Sequence, residues 1–195
     1  MDHHPVPWTG INHLALVTND MDMTTRFWHR VLGAPLVATI GNDSFRHYFF
    51  DIGSGSTVAF FEYRDHHVDL FSKPAGVPDE RAVQFDHVAL NLPDEAALLS
   101  LRQRLQDSNC EVTEVVDHGL LRSIYFTDPN GIALEASWWV DNPTGQQPAS
   151  GAQRYSDADP VPAVQELLNT GTVSHPPATG LVNQPTGDIY HFRRN

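Results

Sequence analysis

The chain repeats itself, and that repeat limits its folds more than any other feature. Ile11-Asn12-His13-Leu14-Ala15-Leu16 returns as Phe85-Asp86-His87-Val88-Ala89-Leu90, the second histidine 74 residues after the first. Thr57-Val58-Ala59-Phe60-Phe61-Glu62 answers to Asn130-Gly131-Ile132-Ala133-Leu134-Glu135, the glutamates 73 residues apart. A recurrence of this kind marks two copies of one supersecondary unit. In the first copy the pattern predicts a strand over 11–17, a helix over 23–32 stopped by Gly33 with Pro35 beyond, and strands over 36–40, 45–52 and 57–63. In the second it predicts a strand over 85–92, a helix over 94–106 with Leu98, Leu101 and Leu105 as its core stripe, and strands over 111–116, 120–127 and 132–138. Gly53-Ser54-Gly55-Ser56 and Asp128-Pro129-Asn130-Gly131 supply the hairpin turns. The fold class is therefore α+β, built of two tandem βαβββ modules.

The modules occupy about 11–74 and 84–140, after a leader of residues 1–10. The segment 141–195 holds seven of the 14 prolines and one short helical pattern over 161–169, and reads as a tail wrapping the domain or a neighbouring subunit. Twelve basic residues against 24 acidic ones leave a net charge of −12, which argues against nucleic acid and anionic membrane surfaces as partners. One cysteine, Cys110, excludes an intrachain disulfide. No apolar run approaches the roughly 20 residues of a bilayer span, and the start lacks the pattern of a signal peptide, so the expected location is cytoplasmic.

Each copy carries a histidine in its first strand and a glutamate in its last: His13 and Glu62, His87 and Glu135. An ionised carboxylate or an unsatisfied imidazole inside an apolar strand is costly unless it is paired or bound to a cation. If the modules pair by pseudo-twofold symmetry, the four converge on one mixed nitrogen and oxygen site. Such a donor set suits one divalent ion of Fe, Mn, Zn, Co or Ni, and the lack of a cysteine ligand argues against a closed thiolate zinc site.

These residues resemble the vicinal oxygen chelate superfamily, which includes glyoxalase I, methylmalonyl-CoA epimerase, fosfomycin- and bleomycin-resistance proteins and extradiol dioxygenases. The resemblance spans about 10–140. It rests on the two histidine motifs, on Arg26-Phe27-Trp28 through Val31-Leu32-Gly33, and on Tyr125-Phe126-Thr127-Asp128-Pro129-Asn130-Gly131 running into Leu134-Glu135. It implies that the modules form a mixed-sheet half-barrel cavity, that the substrate is a small molecule with adjacent oxygens, and that the protein is a homodimer.

Two branches imply different chemistry. The glyoxalase and epimerase branch implies four ligands, His13, Glu62, His87 and Glu135, with Glu62 and Glu135 as candidate bases for isomerase, epimerase or lyase chemistry through a metal-stabilised enolate. The extradiol branch implies a ferrous triad of His13, His87 and Glu135, assisted by Tyr125, ten residues before Glu135. That branch carries a proton-handling histidine where this chain has Gly55-Ser56, and it leaves the position of Glu62 without a metal. Two departures against one match favour the glyoxalase-type reading, with the ring-cleaving dioxygenase as alternative. A sequestering resistance protein is a third class, opposed by the four intact ligands. His47 shares a strand face with Phe45 and Phe49. His118 is a loop histidine that either carries protons or is solvated, and Arg122 either holds an anionic group or forms a surface ion pair.

Overall fold

The computed structural model describes residues 9–81, 85–145 and 156–178. Most of the expected leader, with His3 and His4, and tail residues 146–155 and 179–195, with His191, lie outside them. Two compact units divide the chain, Met1–Val140 and Asp141–Asn195.

In the first unit, β1 (His13–Val17) leads into α1 (Met21–Thr25) and then β2 (Leu36–Gly41), β3 (Phe45–Asp51) and β4 (Thr57–Tyr63). The second pass is β5 (Val88–Asn91), α2 (Glu95–Asp107), β6 (Val116–Asp117), β7 (Leu121–Thr127) and β8 (Ala133–Trp139). The two four-stranded mixed sheets have orders β1-β4-β3-β2 and β5-β8-β7-β6. In each, the first strand runs parallel beside the last, as a βαβββ unit requires.

Both helices open on an aspartate. Asp20 accepts from the Met23 N–H and Asp94 from the Ala97 N–H, satisfying donors that the first turn leaves free. Beyond α1 the chain continues as a π-helical stretch, Arg26–Val31, closed by Leu32 N–H to Phe27 O. It seats Phe27 and Trp28 in the core. The expected strand over 111–116 shrinks to the two residues of β6 and one isolated bridge, Val112 to Phe126. In between, one ladder bond remains, Thr113 N–H to the Tyr125 carbonyl at 3.1 Å, while the Arg102 side chain donates to the Thr113 carbonyl and the Thr113 hydroxyl accepts the Tyr125 N–H.

One buried cluster joins both modules, with Trp28, Phe50, Val58 and Phe60 from the first and Leu98, Leu105, Ile124 and Leu134 from the second. Polar ties cross the same boundary. Thr18 Oγ1 donates to Asn130 Oδ1 at 2.6 Å and Trp28 Nε1 reaches Asp128 at 3.4 Å. Gly131, at φ +82°, packs so tightly that a Cβ there would lie 2.6 Å from the Phe71 carbonyl oxygen, so no other residue fits this turn. In the second unit α3 (Pro162–Thr170) begins on a proline and ends at Gly171 in the left-handed conformation. Among the described residues no helix is long and apolar enough to cross a membrane.

Candidate functional site

Strand alternation sorts the candidate residues into two faces. On β4, Val58, Phe60 and Glu62 point one way, and Phe60 packs 5.5 Å from Trp28 in the core. Thr57, Ala59, Phe61 and Tyr63 point the other way, where Phe61 stacks on His47 at 3.6 Å. In the second sheet Glu135 and Tyr125 are cross-strand partners on the face opposite the core residues Ile124 and Leu134.

The structure brings His87 and Glu135 together, with Nε2 2.8 Å from Oε2. Glu135 is buried, 6% exposed, and its other oxygen accepts a short hydrogen bond from the Ser123 hydroxyl. Ser123 is two residues from Tyr125, so alternation along β7 alone puts both on this face, a signal available in the sequence. On its far side, His87 Nδ1 lies 2.5 Å from Asp86 Oδ1. With His87, Lys73 and the Gly76 N–H all directed at it, Asp86 holds its carboxyl well below the usual carboxylate range. An imidazole that gives its Nδ1 proton to Asp86 presents either a second proton or its lone pair to Glu135. A lone pair so close to a carboxylate oxygen is repelled unless the two share a proton or both bind one cation beside them. With a proton on Nε2 the contact is a hydrogen bond, and in place of that proton the same two atoms could hold a divalent metal.

Tyr125 completes this face. Its hydroxyl lies 2.8 Å from His118 Nε2, and its ring is 6.3 Å from that of His87. Burial and then the neighbouring Glu135 charge push its phenol above the ordinary value. His118 therefore meets the site through Tyr125. A cavity of about 640 Å³ opens beside Tyr125, bounded by Lys73, Val112, Phe126, Ala133 and Leu134.

The other two candidates stand elsewhere. His13 is exposed; its Nδ1 contacts Asn12 Oδ1 at 2.8 Å and its ring lies against His47 and Phe49, at 6.1 and 5.6 Å. His47 is buried between aromatic rings, and its Nε2 has no partner among the described residues. Burial, reinforced by nearby His13, lowers its pKa to about 4. Glu62 forms a short ion pair with Arg46 and accepts the Met21 N–H at 3.3 Å, on the core-side face.

This placement corrects the equivalence drawn between the two glutamates. Tyr125 pairs with Glu135 across β7 and β8 where Phe49 pairs with Ala59 across β3 and β4. The structural counterpart of Glu135 is therefore Ala59, three residues before Glu62, and an odd displacement along a strand turns the side chain to the other face. Among the described residues, no three histidine, cysteine, aspartate or glutamate side chains gather where they could hold a metal ion. Arg122 is engaged by Glu95 at 3.1 Å and Asp117 at 3.4 Å, the ion-pair alternative.

The sequence profile of the glyoxalase/bleomycin resistance protein/dioxygenase superfamily matches residues 10–136. The chain belongs to this superfamily. Within the superfamily, it is 28% identical over 135 residues to biphenyl-2,3-diol 1,2-dioxygenase 3 of Rhodococcus globerulus, covering 67% of this chain and 62% of that protein. Among solved structures, the superfamily domain from Frankia sp. EAN1pec superposes with a TM-score of 0.58 at 22% identity, covering 68% of this chain and 98% of that one. Lactoylglutathione lyase from Agrobacterium tumefaciens gives a TM-score of 0.51 at 20% identity, covering 68% and 96%. At such identities the superpositions establish the superfamily fold alone.

Proposed function

We propose that this protein is a ferrous, extradiol-type ring-cleaving dioxygenase acting on an aromatic diol. The observation that carries the reading is the placement of Glu62, committed to Arg46 on the core side, while Glu135, His87 and Tyr125 share the opposite face. A four-ligand lyase centre would need Glu62 to leave its ion pair and cross the sheet. A triad of His13, His87 and Glu135 needs no such movement of Glu62.

His13, His87 and Glu135 would hold a ferrous ion, which would supply the coupling of dioxygen to an electron-rich diol. The ring carbon–carbon bond next to the diol breaks, both atoms of one dioxygen enter the opened product, and no external reductant is consumed. The protein's part is to position groups and move protons. Ser123 orients Glu135. Tyr125, hydrogen-bonded to His118, would exchange a proton with a diol hydroxyl and pass it toward the exposed loop. The similarity to a relative that acts on biphenyl-2,3-diol supports an aromatic diol as the substrate class.

His13 is exposed and touches neither His87 nor Glu135, so we read the centre as completed between two copies of the chain, one supplying His13 and the other the His87–Glu135 pair. The test of the activity is oxygen uptake by protein purified without oxygen, loaded with ferrous ion and given a panel of diols including biphenyl-2,3-diol. Uptake matched to ring cleavage supports the reading. Metal-dependent isomerisation without uptake would return the case to the glyoxalase type.

A further inference from the structure

The segment between the modules carries a lysine whose position the proposed chemistry does not use. The Lys73 side chain is only 8% exposed, and its ammonium donates to Asp86 Oδ2 at 2.7 Å and to the carbonyls of Pro74 and Val77 at 3.0 and 3.3 Å. Asp86 Oδ1 accepts the Gly76 N–H at 2.7 Å and faces His87 Nδ1 at 2.5 Å. Both oxygens of this carboxylate are therefore committed, one to a buried cation and one to a backbone amide and the imidazole. A buried ammonium persists where a carboxylate and carbonyls satisfy it, so Lys73 and Asp86 fix each other. At the matching position of the first module stands Asn12, an uncharged amide, 2.8 Å from His13 Nδ1.

We infer that Asp86 and Lys73 are positioning residues for His87. Asp86 accepts the Nδ1 proton and so offers Nε2 toward Glu135, and Lys73 holds Asp86 in that pose. The inference rests on reading His87 as a metal ligand. A carboxylate on the far nitrogen makes an imidazole a stronger donor than an amide does, so the two histidines are unequal. The His87–Glu135 pair is the anchor that loads metal, and His13 joins it.

The experiment uses the full-length chain and two readouts. Nitrogen-15 NMR of the metal-free protein reports which ring nitrogen of His87 carries its proton, and competition with a fluorescent chelator measures binding of cobalt(II) alone. The wild type keeps Nδ1 protonated, with or without a second proton on Nε2 facing Glu135. Asp86→Asn loses that preference and binds cobalt about ten- to a hundred-fold more weakly. Lys73→Met shifts both readouts in the same direction, Lys73→Arg restores them, and Asn12→Ala leaves the His87 proton unmoved. An unchanged proton position in Asp86→Asn, or wild-type cobalt affinity in both Asp86→Asn and Lys73→Met, overturns the inference. If the wild type binds no cobalt, the metal reading fails, and the NMR result still decides whether Asp86 and Lys73 position His87.

Discussion

Arg46 and Glu62 face each other directly across the β3–β4 ladder and form an ion pair on the side of the sheet that covers the core. That pairing commits the glutamate a four-ligand centre would require to a structural contact. Replacing Glu62 with alanine removes the pair and the acceptor of the Met21 N–H, at a cost of about 1–3 kcal/mol. Metal content and turnover should not change. The same substitution at Glu135 should abolish metal binding, and equilibrium unfolding with metal analysis on both variants separates the two roles.

Tyr125 acts on protons and not on metal in this account. Tyr125→Phe should lower kcat by about a hundredfold or more while metal affinity stays at the wild-type value. His118→Ala should produce a similar loss, and combining the two should add little, because His118 works through the tyrosine hydroxyl. Steady-state kinetics beside metal titration reads both.

If each centre is shared, inactive chains can complement each other. His13→Ala and Glu135→Ala homodimers should both be inactive. Co-expressed in equal amounts, they should recover about a quarter of the wild-type activity, since one of the two sites in each mixed dimer is intact. No recovery in a verified mixed dimer would place all ligands of a site in one chain.

His47 makes stability depend on pH. Its folded pKa, lowered to about 4, lies below the ordinary value of 6.5, so the folded state resists a proton that the unfolded chain accepts. Above about pH 6.5 the residue has no effect. As pH falls toward 4 the cost of keeping it neutral grows, reaching on the order of 3 kcal/mol. Denaturant unfolding of the metal-free protein across this range, repeated with His47→Phe, should show a slope in the wild type that is shallower in the variant, where carboxylates such as Asp86 still contribute.

The βαβββ modules were legible because each strand and helix has its own periodicity and punctuation. Asp94 before the α2 stripe and the Asp128-Pro129-Asn130-Gly131 turn locate those elements without tertiary information. His87, Glu135 and Tyr125 were legible as candidates for the same reason, since ten residues along one hairpin set the Tyr125–Glu135 pairing. Glu62 matches Glu135 in motif but not in register, because an apolar pattern tolerates a slip that strand pairing does not. The slip from Ala59 to Glu62 barely disturbs an apolar pattern, yet it reverses the face. The π-helical stretch at 26–31 left no signal, because helical spacing alone does not distinguish a wider turn. The Lys73–Asp86 contact was equally invisible, as nothing local ties a connecting segment to the strand it meets.

Oxygen chemistry at the His87–Glu135 face would be recorded in the mass of the product. Ferrous-loaded protein given an aromatic diol under oxygen-18 gas should form a ring-opened acid carrying two oxygen-18 atoms per molecule, with one dioxygen consumed for each diol. A product isomeric with the substrate, free of the label and formed at the same rate without oxygen, would contradict the account.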